Sequence, residues 1–339
     1  MRVLVRYLFI YLAVFIFLNG FLPGWLSVSY PRALGPAFSE EVRYSYKFEI
    51  QKEKPQVILL GNSVINSGID LQLFEQLVGL RSLKFSFPGT ASAYWYLLMK
   101  SNITTASPPP HFLLVFFLDN LLTAPELGVN GPAYQALIDE VAGENETILL
   151  QKAYWSQFHP VESWLNSRLP AFGERETLKE KMDNRLKYTL PYSIQRCDKN
   201  CLDEALDKTF TQLNMIQDNF AEAEGNADPW SGKDWDFNAL VEKSFLPDML
   251  TLAREKGIQL IFVREKNARV MTMEDESADM RRYFKQMKDY LSANGVLYLD
   301  FAHEPSLTLD MFRDRMHLSE AGQQVFTRLV AEEFSALIK

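Results

Sequence analysis

The chain has 339 residues, of which 47% are hydrophobic and 23% are charged, and its formal net charge is −8. This balance is typical of a folded globular protein and excludes a chain that is disordered throughout. The sequence pI of about 5.2 argues against the basic surface that nucleic-acid binding requires, so no nucleic-acid partner is expected.

The N-terminal segment is the first predicted element. Arg2 and Arg6 precede a stretch with no charged residue from Tyr7 to Tyr30, and a membrane-spanning helix needs roughly 20 apolar residues. Trp25 lies where an aromatic residue of the membrane interface is expected. The alternative is a cleaved signal peptide, but no small-x-small cleavage motif follows the apolar run. We therefore expect an uncleaved anchor in a bacterial inner membrane, with both arginines in the cytoplasm and the remaining chain in the periplasm or outside.

The later sequence alternates between short apolar runs and amphipathic stretches. The predicted strands are Gln56–Leu60, Ser82–Phe87, His111–Leu118, Ile258–Val263 and Val296–Phe301. The stretches between them predict helices, the last from about 319 to 337. Strands that alternate with helices predict a parallel sheet covered on both faces. Right-handed crossovers would wind these strands into an α/β, flavodoxin-like three-layer sandwich.

The alternation stops between Asn120 and Phe245, where helical patterns and four tryptophans occur: Trp155, Trp164, Trp230 and Trp235. These aromatic side chains suit either stacking on sugars or internal packing. The predicted organisation is a transmembrane anchor (1–30), a juxtamembrane linker (31–55) and a catalytic domain (56–339) with a helical insertion at about 121–245.

The two cysteines, Cys197 and Cys201, are separated by three residues. An oxidising compartment would favour a small local disulfide, and two unpaired thiols are the equal alternative. Because soft ligands are few and the four histidines are scattered, no metal site is expected. No cofactor is expected either.

Polar residues stand where the predicted strands end. Ser63 follows the first strand, Gly89 the second and Asn120 the third, while Asp314 and His317 precede the last helix. Ligands of open parallel sheets bind just beyond the carboxyl ends of the strands, so these side chains should meet at one edge.

This set suits acyl transfer. Serine is a weak nucleophile until a base takes its proton, a role open to His317, and Asp314 would fix the imidazole tautomer. The backbone N–H groups of Ser63 and Gly89 and the side-chain amide of Asn120 would form an oxyanion hole. The alternative interpretations are a helix N-cap for Ser63, a turn residue for Asn120 and a surface position for His317.

The motifs GNS, FPG, a strand-terminal Asn and DRMH, in this order, resemble the SGNH (GDSL-like) hydrolase superfamily. The resemblance implies a flavodoxin-like fold and the hydrolysis or transfer of acyl groups. It makes Ser63, Gly89, Asn120 and His317 the four namesake residues, with Asp314 completing the triad. GNSVINSGID, FLPDMLTLAREKGIQLIFV and FRDRMHLSEAG look similar to the membrane-anchored branch, which includes D-alanyl transfer and alginate O-acetylation proteins.

Two positions depart from the family pattern. Asn62 stands where an Asp is usual, and Leu118, Asp119, Asn120 and Leu121 correspond to the GxND motif, so its Gly and its Asp are missing. The second departure weakens the role of Asn120 more than the other assignments.

The leading hypothesis is a serine acyltransferase that O-acetylates an exported polysaccharide or cell-envelope polymer through an acyl-Ser63 intermediate. It would receive the acyl group from a multispanning membrane acyltransferase. One alternative is an SGNH esterase or deacetylase, which transfers the acyl group to water. Another is a non-catalytic carbohydrate-binding or assembly protein.

Overall fold

The computed structural model describes residues 2–28, 30, 38, 41–129, 132–144, 146–154, 160–175, 177–179, 181, 182, 185 and 236–338. They divide into two compact units, one within 36–157 and 233–339 and the other within 1–35 and 158–232. The strands are β1 (Val57–Gly61), β2 (Ser82–Ser86), β3 (Phe112–Phe117), β4 (Gln259–Arg264) and β5 (Leu297–Asp300). The helices are α1 (Arg2–Ile16), α2 (Leu22–Trp25), α3 (Ser45–Glu53), α4 (Ser63–Gly68), α5 (Leu71–Val78), α6 (Ser92–Leu98), α7 (Pro132–Val141), α8 (Thr147–Leu149), α9 (Pro160–Arg168), α10 (Pro170–Gly173), α11 (Phe237–Leu240), α12 (Leu246–Lys256), α13 (Ala278–Ala293) and α14 (Glu320–Leu337).

The larger unit is built on a sheet of five parallel strands in the order β2-β1-β3-β4-β5. This is the flavodoxin-like order, and the predicted α/β fold class is confirmed. The predicted strands match the observed ones to within one residue at each end. β1 lies between β2 and β3 in the sheet. Its carboxyl end is therefore flanked by two other strand ends, at the edge of the sheet where parallel-sheet proteins bind ligands.

Helices cover both faces of the sheet. On one face, α4, α5 and α14 pack through Ile65, Phe74 and Phe326 against a core that includes Val57 and Leu59. The intervening residues of β1 point to the opposite face, since side chains alternate along a strand, and α6, α12 and α13 lie there. β1 is fully buried along its length, which explains why it reads as a continuous apolar run rather than an alternating one.

Helix boundaries follow local capping chemistry. Asp70 and Ser319 cap the N-termini of α5 and α14 with their side chains, and Gly79 ends α5 in the left-handed conformation, with φ +72°. Helix α13 begins at Ala278. Ser277 caps it, and a 3-10 turn with its own capping box occupies the preceding residues.

The structure adds detail to the predicted linker and insertion, whose boundaries remain predictions. Helix α3 lies within the predicted linker, and its Ile50 is fully buried. Its neighbour Arg43 donates its backbone N–H to the carbonyl of Glu140, 3.1 Å away. The described residues of the predicted insertion up to 154 and from 236 to 245 belong to the same unit as the sheet. Five residues of interest, Trp155, Cys197, Cys201, Trp230 and Trp235, lie outside the described residues.

The smaller unit contains the apolar N-terminal helix. α1 continues through a π-helical turn, Phe17–Phe21, directly into α2. Residues Val5–Trp25 are long and apolar enough to cross a membrane, a test that a signal sequence also passes. α9 and α10 belong to this unit, and the side chain of Trp164 on α9 is exposed.

Candidate active site

The loop after β1 presents Ser63 at the carboxyl edge of the sheet. Gly61 ends the strand where a Cβ atom would lie only 3.0 Å from the carbonyl oxygen of Phe116, so the chain turns against β3 without a side chain. The side-chain oxygen of Asn62 accepts the N–H of Val64 at 3.1 Å and caps α4. Ser63 is therefore the first residue of the helix and not its cap. The amide oxygen of Asn62 serves as this cap.

The loop before α14 holds Asp314 and His317 together. The oxygen Oδ1 of Asp314 accepts the backbone N–H groups of Met316 at 2.9 Å and His317 at 2.8 Å. These bonds orient the carboxylate toward the imidazole, whose Nδ1 lies 3.0 and 2.9 Å from its two oxygens. The backbone N–H of Arg313 donates to the carbonyl of His317 at 3.0 Å and closes the loop.

The other ring nitrogen of His317 faces Ser63. Its Nε2 lies 2.9 Å from Ser63 Oγ, although the residues are 254 positions apart in sequence. The His317 side chain is only 16% exposed, so the structure does not place it as a surface residue. The sequence-predicted Ser63, His317 and Asp314 thus form one continuous chain of contacts.

Charge on Asp314 determines the direction of proton transfer along this chain. Burial alone would raise the pKa of Asp314, but the N–H groups of Met316 and His317 and the imidazole outweigh it, so the pKa lies below its ordinary value. The carboxylate is therefore ionised at neutral pH and accepts Nδ1–H of His317. This arrangement leaves Nε2 with a lone pair toward Ser63 Oγ.

The second predicted residue of the oxyanion hole, Gly89, lies in a tight turn after β2. Thr90 donates its backbone N–H to the carbonyl of Phe87 at 3.2 Å, and Gly89 has φ +72°. A positive φ at the third position of a turn with Pro88 at the second is the geometry of a type II turn, which requires glycine there. The turn is tied to the β1 loop, because Ser86 Oγ donates to the carbonyl of Asn62 at 3.0 Å.

Tyr134 of α7 lies directly over this turn. A Cβ atom at Gly89 would be 2.5 Å from the Tyr134 hydroxyl oxygen and 2.7 Å from its ring. Gly128 packs against the same turn, since its Cβ would lie 2.7 Å from the carbonyl oxygen of Gly89. Tyr134 could not be predicted from the sequence. The pattern of residues 121–141 does not indicate which side chain packs against the carboxyl ends of the strands.

Asn120 lies in the turn after β3, where its carbonyl oxygen accepts the N–H groups of Thr123 at 2.8 Å and Ala124 at 3.1 Å. Within the described part of the chain its side-chain amide makes no hydrogen bond, so it is free to donate. The neighbouring Asp119 has a positive φ of 53°. Burial raises the pKa of Asp119 to about 6, against the opposing charges of Arg264 and Arg269.

A group of buried polar residues lies at the carboxyl end of β4, where the sequence pattern had not led us to expect site residues. Arg264, Glu265, Lys266 and Asn267 are all buried. Arg264 pairs with Glu276 and contacts Asp300 at 3.4 Å. The signal was present in the sequence, because four polar residues directly follow a buried apolar strand. Among the described residues, no three His, Cys, Asp or Glu side chains are grouped so as to hold a metal ion.

No protein-family model matches the sequence, and no curated protein matches it. Among solved structures, the chain is similar to a candidate acylhydrolase from Bacteroides fragilis, with 11% identity, a TM-score of 0.39 and coverage of 87% of this chain and 96% of that one. It is also similar to an acetyl xylan esterase, with 10% identity, a TM-score of 0.40 and coverage of 84% and 99%. These likenesses are too remote to carry a functional argument, which therefore depends on the geometry of the site.

Proposed function

We propose that this chain is a membrane-anchored, extracytoplasmic serine acyltransferase that O-acetylates an exported polysaccharide or cell-envelope polymer. The observation that carries the proposal is the chain of contacts from Ser63 through His317 to Asp314 at the carboxyl edge of a flavodoxin-like sheet. A serine, an imidazole and an ionised carboxylate in this order form an activated nucleophile.

In the first half-reaction, Ser63 Oγ attacks the acyl carbonyl carbon while His317 Nε2 takes the hydroxyl proton. The backbone N–H groups of Ser63 and Gly89 and the amide of Asn120 stabilise the oxyanion of the tetrahedral intermediate. His317 then returns its proton to the departing group of the donor, leaving an acyl ester on Ser63.

In the second half-reaction, a hydroxyl of the polymer replaces the leaving group. His317 takes its proton as the oxygen attacks the acyl-serine, and the same proton then returns to Ser63 Oγ. The polymer leaves with a new ester bond and the enzyme is unchanged. If water reaches the acyl-serine first, the same steps yield hydrolysis, so transfer requires that the polymer compete successfully with water.

The N-terminal helix supports the polymer assignment. An apolar segment at Val5–Trp25 that is retained as an anchor would hold the domain at the membrane surface, where exported polymers emerge. Arg2 and Arg6, which lie at the beginning of this helix, favour a cytoplasmic N-terminus. The anchor also favours an acyl donor in the same membrane, which we propose to be a multispanning acyltransferase.

Incubation with an activated acetyl ester and an acetyl-free oligosaccharide tests this function. We expect acetyl groups on the sugar hydroxyls in excess of free acetate, and no transfer by Ser63→Ala. Free acetate as the sole product would make the protein an esterase, and unchanged transfer by Ser63→Ala would contradict the proposed nucleophile.

A further inference from the structure

The smaller unit contains an uncharged run, Leu169–Gly173, that contacts the apolar N-terminal helix. The backbone N–H of Ala171 donates to Asn19 Oδ1 at 3.1 Å, and Asn19 Nδ2 donates to the carbonyl of Phe15 at 3.1 Å. A polar side chain inside an apolar span is costly unless it is hydrogen-bonded. Asn19 thus joins the beginning of α10 to the interior of the span.

This hydrogen bond fixes the depth of α10 along the span. Asn19 precedes Trp25, the last residue of the candidate span, by six residues. At a rise of about 1.5 Å per residue, it lies about 9 Å inside that end. Helices that lie in a membrane interface are buried by roughly 5–10 Å, so Ala171 lies within the depth such helices reach.

Two charged side chains contact the end of the candidate span, near Trp25. Lys181 Nζ donates to the carbonyls of Leu26 at 3.1 Å and Ser27 at 3.2 Å, and Arg185 donates to the carbonyl of Trp25 at 3.0 Å. They satisfy carbonyls that the end of the helix leaves free. The cations therefore lie at the level where the span ends, and the uncharged run lies deeper.

The surface at the deeper level is apolar and open. Phe172 is 37% exposed, and with Leu169 it lines a groove whose other wall is formed by Tyr11, Phe15 and Leu18 of the N-terminal helix. The side chains of that helix are themselves largely exposed along Val5–Trp25. The groove therefore continues the surface that acyl chains would cover if the helix spans a bilayer.

We infer that α10 forms a second membrane-contacting element, inserted at the boundary between headgroups and acyl chains beside the anchor. Lipid acyl chains occupy the groove between Phe172 and Phe15. The inference depends on the anchor proposed above but not on the acyl-transfer chemistry. It gives the anchor two points of attachment, a spanning helix and a short interfacial helix.

Spin labels in the full-length protein test this directly. In a Cys197→Ser, Cys201→Ser background, Phe172→Cys is labelled and reconstituted in vesicles of phosphatidylethanolamine and phosphatidylglycerol. Power saturation then compares collisions of the label with oxygen, which enters the bilayer, and with a nickel chelate, which does not. Leu18→Cys serves as the membrane reference, and Met273→Cys, exposed in the sheet unit, serves as the water reference.

We expect the label at Phe172 to resemble that at Leu18, with frequent oxygen and rare nickel collisions. Leu169→Cys is the second reporter if Phe172→Cys does not fold. A label that resembles Met273→Cys would overturn the inference while leaving the anchor intact, and rare collisions with both reagents would show a protein cover instead of lipid. Recovery from cells of a mature chain that begins near Tyr30 would overturn both the inference and the anchor, without bearing on the triad.

Discussion

Two carboxyl groups at opposite ends of helix α4 differ in what surrounds them. Asp314 is linked through His317 to Ser63, the first residue of α4. Its carboxylate accepts hydrogen bonds from two backbone N–H groups and from the imidazole Nδ1–H. Glu265 lies at the other end, where its Oε2 would be 2.8 Å from a Cβ on Gly68. It is buried, and among the described residues its Oε1 has no hydrogen-bond partner.

The surroundings shift the two pKa values in opposite directions. Burial raises the pKa of Glu265 to about 8, whereas hydrogen bonds to Asp314 outweigh burial and lower its pKa. A carboxyl group becomes a useful anion only where donors replace the water it loses. Asp314 therefore suits the orientation of an imidazole, and Glu265 is a neutral group of the interior.

The largest loss of activity is expected on replacing Ser63 or His317, the two residues linked to Asp314 by hydrogen bonds. Ser63→Ala and His317→Ala should each lower kcat by about a million-fold, and the double variant should lower it little further, because the residues act as one unit. Kinetics with an activated acetyl ester measure this. Ser67→Ala, in the same helix, and His111→Ala, at an exposed position, are the controls that should retain activity. Additive losses would mean that the two residues act independently.

Asp314→Asn should lower kcat by about 10⁴-fold, since an amide no longer fixes the tautomer that leaves Nε2 free. Its side-chain oxygen still accepts the N–H groups of Met316 and His317, so the melting temperature should change little. Asp310→Asn, in the same loop, is the matched control. An active Asp314→Asn variant would remove the distinction between the two carboxyl groups.

Asn120→Ala should lower kcat by about 100- to 1,000-fold if its amide donates to the oxyanion. The turn should persist, because its hydrogen bonds use the carbonyl oxygen of Asn120 and not the side chain. Asn66→Ala, the same substitution at an exposed position, is the control and should leave kcat and the melting temperature unchanged. Unchanged kcat in Asn120→Ala would restrict the oxyanion hole to backbone donors.

The smallest effect concerns the stability contributed by Glu265. Its folded-state pKa of about 8 lies above the ordinary value of 4.5, so the folded state binds more protons between these values and loses stability as pH rises. The slope is at most about 1.4 kcal/mol per pH unit. Glu265→Gln removes this contribution, so its unfolding midpoint should rise relative to the wild type from pH 5 to pH 8, with activity retained. Glu333→Gln, at an exposed position, should show no such trend. If the unfolding midpoints of Glu265→Gln and the wild type change in the same way with pH, Glu265 is ionised in the folded state.

The sequence predicted the sheet well because each strand is a buried apolar run bounded by turn residues. It also predicted the meeting of Ser63 and His317, because the carboxyl ends of parallel strands share an edge. It did not predict Tyr134 over Gly89, which depends on the path of a segment without strand pattern. The contact between Ala171 and Asn19 could not be predicted either, because a single hydrogen bond joins these residues, which lie 152 positions apart in the sequence.

The central claim is that Ser63 Oγ carries the acyl group. The most direct measurement is mass spectrometry of peptides from the full-length protein after brief incubation with an activated acetyl ester and rapid acid quenching. The account predicts one acetyl group on the peptide that contains Ser63, absent in Ser63→Ala and lost on adding an acceptor oligosaccharide. Acetyl groups that remain in Ser63→Ala, or that persist when the acceptor is added, would contradict it.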